Sequence, residues 1–368
     1  MTYCFGLRYR ESVYLLADSA VTRYGAPPSS PVTSFGESSV STALHSIDEG
    51  CLKILRVGAD CFVAFAAVDI KRAIDAVAVL RGLYAVNLSI PELFTKLAAN
   101  LELSNQLHFE YLIARSGASG PELWHWSTTN PTMTEEVREH KHIGSLATWH
   151  ADMGRFVAAS FNGLPEDRML FALAATIQGF GLRDAILAQG VGGVVAALRL
   201  GSLGPEWLPD THYIMGSGDS STPTQAVSLA FRDDRMIVWS TFNQEFRFFT
   251  SGSSESDVLD WLSKRQAQIT DEMKTHAARL WVFLGTTGWS VLILDTGTPT
   301  ADTPVIRISR KSENVFIFSF HAALKAYLEL PLEHRNDGSM AMRFGFVTSD
   351  GCLAHLMGVL NRVSAGPS

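Results

Sequence analysis

A chain of 368 residues is too long for one typical domain and long enough to bury a large core, so two domains are expected. Its net charge of −7, with no Lys/Arg cluster to offset it, excludes sequence-independent nucleic-acid binding, which needs a basic surface. With 46% hydrophobic and 18% charged residues the composition is globular and slightly apolar for a monomer, which favours buried interfaces between subunits.

The chain opens on two β-rich runs, Met1 to Tyr9 and Val13 to Ser19, joined by Arg10-Glu11-Ser12, the pattern of a hairpin. Folding it about residue 10 sets Thr2 opposite Asp18. No apolar h-region starts the chain, so no signal peptide is expected, and Thr2 is small enough for Met1 to be trimmed from it. Residues 24–50 are polar and rich in Gly, Pro, Ser and Thr, which reads as a long loop or insertion. Strands are expected at 51–57 and 61–67, with a turn at Gly58-Ala59-Asp60. Helical periodicity follows over 68–85, with Ile70, Ile74, Val77 and Leu80 on one stripe. A second helix is expected over 91–103, with Ser89 as N-cap and Pro91 in its first turn.

Strands resume at 109–114 and 122–127, and a short one ends in His142-Ile143-Gly144-Ser145. A long helix over 165–188 and a strand over 192–200 come next. Turn residues at Gly201-Ser202-Leu203-Gly204-Pro205 suggest a boundary, dividing 2–204 from 205–368. Beyond it the sequence predicts strands at 236–241, 245–249, 280–284, 291–294, 305–308 and 315–320, and an amphipathic helix over 254–276. Periodicity alone gives an α+β class. The longest apolar stretch, Leu280 to Leu294, is interrupted by Gly285-Thr286-Thr287-Gly288 and is too short to span a bilayer, so no membrane association is expected. Cys4, Cys51, Cys61 and Cys352 form no CxxC pair and read as reduced, buried thiols of a cytoplasmic protein.

With Met1 removed, Thr2 carries a hydroxyl and a free α-amine, a nucleophile and its own base. Asp18 follows Thr2 by sixteen positions. Thr2, Gly6, the apolar run Val13 to Ala17 and Asp18-Ser19 together resemble the β subunits of the proteasome, and among these the bacterial ancestral proteasome-like subunits that begin Met-Thr-Tyr-Cys. The resemblance covers roughly the first 200 residues. It implies an N-terminal-nucleophile (Ntn) hydrolase fold, α+β, a four-layer αββα sandwich, to which 205–368 would add a C-terminal α+β region. It implies a threonine-type amidohydrolase, a peptidase, with Thr2 as nucleophile. Asp18 would hold Lys53, whose ammonium would help Thr2 lose its proton, and Ser145 would stand beside the amine. The backbone N–H near Ala66-Ala67, with Ala67 the candidate, would bind the oxyanion. The family also implies a ring or helical homo-oligomer with inward-facing sites, a peptide or protein substrate, an unfoldase as a candidate partner, and no metal or cofactor.

Three departures from the family motivate a second reading, a non-catalytic scaffold. Ala20 stands where the family has arginine, Ala66-Ala67 where it has glycine, and 187–193 lacks the family's Asp and Ser. Other constellations are weaker. His140-Lys141-His142 and Trp124-His125-Trp126 have no third ligand at metal-site spacing. Gly216-Ser217-Gly218-Asp219-Ser220 reads as a turn, and Asp350-Gly351-Cys352 with His355 is suggestive only.

Overall fold

The computed structural model describes residues 2–84, 88–101, 108–161, 163–184, 186–216, 225–250, 260–265, 267–269, 279–285, 291–295, 307–312, 315–319 and 344–347. The chain divides into two compact units. One comprises Met1–Leu208, Phe231–Met236 and Phe248–Gly252; the other comprises Pro209–Ala230, Ile237–Arg247 and Ser253–Ser368.

Strands β1 (Tyr3–Tyr9) and β2 (Ser12–Ala17) form the expected hairpin, in a different register. Tyr9 pairs with Ser12 and Cys4 with Ala17. The turn is therefore two residues, Arg10-Glu11, with Arg10 at φ 51°, a left-handed conformation that tight hairpin turns require. Turn length sets register. It is consequently Tyr3, not Thr2, that meets Asp18, whose N–H donates to the Tyr3 carbonyl at 3.2 Å.

The 24–50 stretch is not a plain loop. After β3 (Ala20–Tyr24) it carries β4 (Val40–Ser41) and β5 (His45–Glu49), which pair with β3 as an antiparallel sheet in the order β3-β5-β4. Ile47 anchors this sheet against Ala20 and Leu187.

Then come β6 (Ile54–Gly58), β7 (Cys61–Ala67), α1 (Ile70–Leu83) and α2 (Ile90–Asn100). The α1 stripe buries Ala73, Ala76, Val77 and Leu80. Ser89 caps α2 as expected: its hydroxyl accepts the Glu92 N–H, and the Glu92 carboxylate returns to the Ser89 N–H. After β8 (Phe109–Gly117), β9 (Gly120–Ser127), β10 (Thr134–Glu136) and β11 (His140–Gly144) comes α3 (Ala147–Ser160), a helix with no start signal in the sequence. Its N-cap is Leu146, left-handed at φ 70° and with no side-chain cap, which explains the missing signal. The helix α4 (Glu166–Asp184) follows, then β12 (Ala196–Gly201) and β13 (Gly204–Trp207). Turn residues 201–205 close the β12–β13 hairpin.

These strands make two five-stranded sheets, β11-β1-β2-β12-β13 and β10-β9-β8-β7-β6. Leu112 and Leu123 of the second close on Gly6 of the first. Leu80, Phe94 and Leu97 share a core with Phe65, Tyr111 and Trp126.

The remaining strands are β14 (Thr211–Gly216), β15 (Gln225–Arg232), β16 (Arg235–Ser240), β17 (Phe246–Phe249), β18 (Leu280–Gly285), β19 (Val291–Asp295), β20 (Arg307–Ser312), β21 (Val315–Ser319) and β22 (Phe344–Val347). Seven of them form one sheet, β17-β16-β15-β14-β18-β19-β22, and β20 with β21 makes a separate hairpin. Most of the 254–276 helix, and residues 217–220, 286–288, Asp350-Gly351-Cys352 and His355, lie outside the described residues.

The described residues hold twenty-two strands against four α-helices and the helical stretches 260–265 and 267–269, which fall within the helix expected over 254–276. Among the described pairings only β14–β18 and β19–β22 are parallel. The protein is thus mostly antiparallel β with few helices, which corrects the expected four-layer αββα sandwich with a C-terminal α+β region. Two stretches account for the difference: the polar insertion pairs with β3, and short apolar runs after 208 join one wide sheet. The first shows no strand period in sequence, and although strands were expected at several of the second, no local period records that they pair into one sheet. Among the described residues no helix is long and apolar enough to cross a membrane.

Candidate active site

Asp18 sits just past the end of β2 and is 2% exposed. Its carboxylate accepts four donors. Oδ1 takes the Tyr3 N–H at 2.9 Å and Lys53 Nζ at 2.8 Å. Oδ2 takes the N–H of Ala20 at 3.2 Å and of Gly192 at 3.1 Å. Lys53, immediately before β6, is 0% exposed. Removing two charges from water costs more than their attraction returns unless the leftover lone pairs are satisfied. The three backbone amides on Asp18 meet that condition.

Thr2 adjoins this pair through the chain, since the amide that binds Asp18 is that of the next residue. Its carbonyl accepts the Ser145 N–H at 2.7 Å. Gly144, at φ 92°, makes that approach feasible: a Cβ there would lie 2.0 Å from the Thr2 carbonyl oxygen and 3.2 Å from Ala66 Cβ. Thr2, Ser145 and Ala66 therefore meet at one place, with Ala67 closing β7 one residue on. Ser145 is held from its other side by His150, whose Nε2–H donates to the Ser145 carbonyl at 2.8 Å. The structure brings the sequence-selected Thr2, Asp18, Lys53 and Ser145 together, with Ala66-Ala67 at their edge.

A second set of residues carries no sequence signal. Three successive N–H groups of the 191–194 loop each donate to a different carboxylate: Gly192 to Asp18, Gly193 to Glu37 Oε2 at 2.8 Å, and Val194 to Glu49 Oε1 at 2.7 Å. Successive amides turned to one side form a concave anion-binding nest. Gly193, at φ 71°, turns the loop, and a Cβ on it would come within 2.5 Å of Ser19 Oγ. Glu49 is further satisfied by the Ser34 N–H and hydroxyl and by Ser19 Oγ. Glu37 is less well served. Thr33 Oγ1 donates to its Oε2 at 3.0 Å, but Oε1 is buried with no hydrogen-bond partner among the described residues. Burial pushes the Glu37 carboxyl up to about 7, with Asp18 and Glu49 adding repulsion against the opposing pull of the Gly193 and Thr33 donors. Glu37 shares a cavity of about 10 Å³, room for roughly one water, with Tyr3, Asp18, Trp149, Gln178 and Gly192.

Neighbouring groups are poor competitors for the chemistry. Burial pushes the Cys51 thiol up to about 11 and Cys61 to about 12, and holds Cys4 well above its usual range, so none is a thiolate nucleophile. The pair His140 and His142 sits beside Tyr3: the Tyr3 hydroxyl lies 2.9 Å from His142 Nδ1, and the His142 ring stacks on His150 at 4.9 Å. Burial, then the nearby His150 and His140, lowers His142 to about 3, so it stays neutral. Among the described residues no group of three or more His, Cys, Asp or Glu is placed to hold a metal ion.

No protein-family model matches the chain, and no curated protein matches its sequence.

Proposed function

We propose that this protein is a threonine-type amidohydrolase, a peptidase whose nucleophile is the hydroxyl of Thr2 once Met1 has been removed. The observation that supports it most is the buried Lys53–Asp18 pair held by the amide of the residue after Thr2. In this reading Thr2 Oγ attacks the substrate carbonyl and its proton passes to the α-amine, whose unperturbed pKa of about 7.7–8.0 suits a base near neutral pH. Lys53 supplies positive potential that favours the developing alkoxide, and Asp18 fixes where that charge sits. A backbone N–H at Ala67 stabilises the tetrahedral oxyanion. Collapse expels the amine product and leaves an ester on Thr2, which water hydrolyses with the α-amine again as base. A cytoplasmic ring or helical homo-oligomer, fed by an unfoldase, belongs to the same reading.

The test is intact mass with and without a peptide epoxyketone, which closes a ring with both the hydroxyl and the amine of a terminal threonine. Expected are loss of Met1, a single adduct on Thr2, and loss of adduct and peptide hydrolysis in Thr2→Ala with assembly retained. A retained Met1 would sink the reading for the native protein. One observation favours a scaffold instead: with Met1 attached Thr2 is 1% exposed, so a substrate carbonyl does not reach it in that form. Hydrolysis absent from a protein with free Thr2 would favour that reading, and hydrolysis unchanged in Thr2→Ala would remove Thr2 as the nucleophile.

A further inference from the structure

The 24–50 insertion reaches the 191–194 loop through two side chains, Glu49 at Val194 and Glu37 at Gly193, and Glu37 holds the amide next to the one that binds Asp18. Glu37 Oε2 accepts the Gly193 N–H, and the preceding amide of the same loop, Gly192, donates to Asp18. Gln178 of α4 grips the loop from its other side, with Nε2 donating to the Gly193 carbonyl at 2.9 Å and Oε1 accepting the Val195 N–H at 3.0 Å. The loop is thus a short lever between Glu37 and Asp18. We propose that Glu37 is a positioning residue of the site, a latch by which the insertion holds the 191–194 loop and, through Gly192, the Asp18 carboxylate. The inference rests on the proposed hydrolase only for what the latch controls, and the contact itself stands apart from it.

The surroundings make the latch sensitive to protons. Asp18 at the end of β2 and Glu49 of β5 are the acidic groups around Glu37. Lys53, the one cation placed there among the described residues, is committed to Asp18. The Tyr3 phenol on β1 is held neutral by burial, Trp149 of α3 and Gln178 of α4 carry no charge, and Trp149 is held by Asp184 at 2.8 Å. A carboxylate with a buried, unpartnered Oε1 among these groups is favoured in its neutral form. With the closed-state pKa raised above the solvated value, the latch is tightest below about pH 4.5 and loosens as pH rises through about 7. An open state in which Glu37 reaches water is then the better host for the ionised form.

The experiment compares wild type, Glu37→Gln and Glu37→Ala by hydrogen exchange of the peptide spanning 190–195, as protection factors at about pH 6 and about pH 8. The rate of epoxyketone labelling of Thr2 is followed over the same range. Wild type is expected to lose about tenfold in loop protection across that range, and Glu37→Gln, which keeps an acceptor without the charge, to stay protected at both. Glu37→Ala is expected to be unprotected at both. Labelling follows the loop in each case, with a pH profile flattened on this limb in Glu37→Gln, a change that a purely structural role would not produce. Equal pH responses in wild type and Glu37→Gln, or full protection in Glu37→Ala, would overturn the latch. Should Glu37→Ala fail to fold, the first comparison still decides. Intact exchange behaviour in a protein that never labels at a free Thr2 would remove the hydrolase reading and leave the latch standing.

Discussion

Lys53 and Lys71 make ion pairs of equal length, 2.8 Å, with Asp18 and Asp75, and burial alone separates their consequences. Lys71 and Asp75 stand in solvent on α1, where water screens the pair and its side-chain entropy cancels most of the gain. Lys53 and Asp18 have no water to return to. Taking away the ammonium leaves Asp18 as a buried charge satisfied by amides alone. Lys53→Met is therefore expected to cost about 3–5 kcal/mol of stability, whereas Lys71→Met leaves it unchanged. Urea denaturation of the two variants beside wild type measures the contrast. Equal midpoints for wild type and Lys53→Met would show that the pair contributes nothing, and the electrostatic part of the mechanism would fall with it.

The 191–194 loop shows how an element without regular structure can organise a site. Its three amides hold three carboxylates that would otherwise repel one another, and the left-handed Gly193 turns the loop between them. Gly193→Ala is expected to cost about 1–3 kcal/mol in backbone strain alone. More is lost as its Cβ pushes Ser19 Oγ and Glu49 Oε1, at 2.5 and 2.8 Å, from the loop. A thermal melt showing wild-type stability in that variant would mean that the loop relaxes freely and holds nothing. Asp18 stood out in the sequence by its spacing of sixteen from Thr2, and Lys53 by the role that the family resemblance implies for it. Glu37 and Glu49 did not, because their roles come from β5 pairing with β3 and from a loop more than 140 positions away, and no local period records such a meeting. The β1–β2 hairpin was legible but its register was not: one residue in the turn decides whether Thr2 or Tyr3 faces Asp18, and the Arg10-Glu11 turn lacks the Asn-Gly or Asp-Gly that would have announced it. Likewise α2 was visible through Ser89 and Pro91, while α3, entered through left-handed Leu146, was not.

Among the described residues two partly buried groups, His142 and Glu37, pull stability in opposite directions with pH. His142 is depressed from 6.5 to about 3, so below 6.5 the unfolded chain binds a proton that the folded chain refuses, and stability falls as pH drops through that window. His150, lowered first by burial, adds to the same limb. Glu37 is raised from 4.5 to about 7, so between those values the folded chain holds a proton the unfolded chain has released, and stability falls as pH rises. From 4.5 to 6.5 the His142 and Glu37 slopes oppose each other, and the contribution of these two groups is a plateau with losses on both sides. The neutral limb belongs to Glu37 and the acid limb to His142 with His150, so each can be altered without the other. Glu37→Gln is expected to abolish the decline toward pH 7, so that its stability relative to wild type grows from pH 4.5 upward and levels off above 7. His142→Gln is expected to make the acid limb shallower and leave the neutral one in place. Unfolding free energies from urea titrations at intervals from about pH 3 to about pH 8 resolve the two limbs. A Glu37→Gln curve parallel to wild type throughout would show that Glu37 titrates as it would in water, with no buried carboxyl behind the loop.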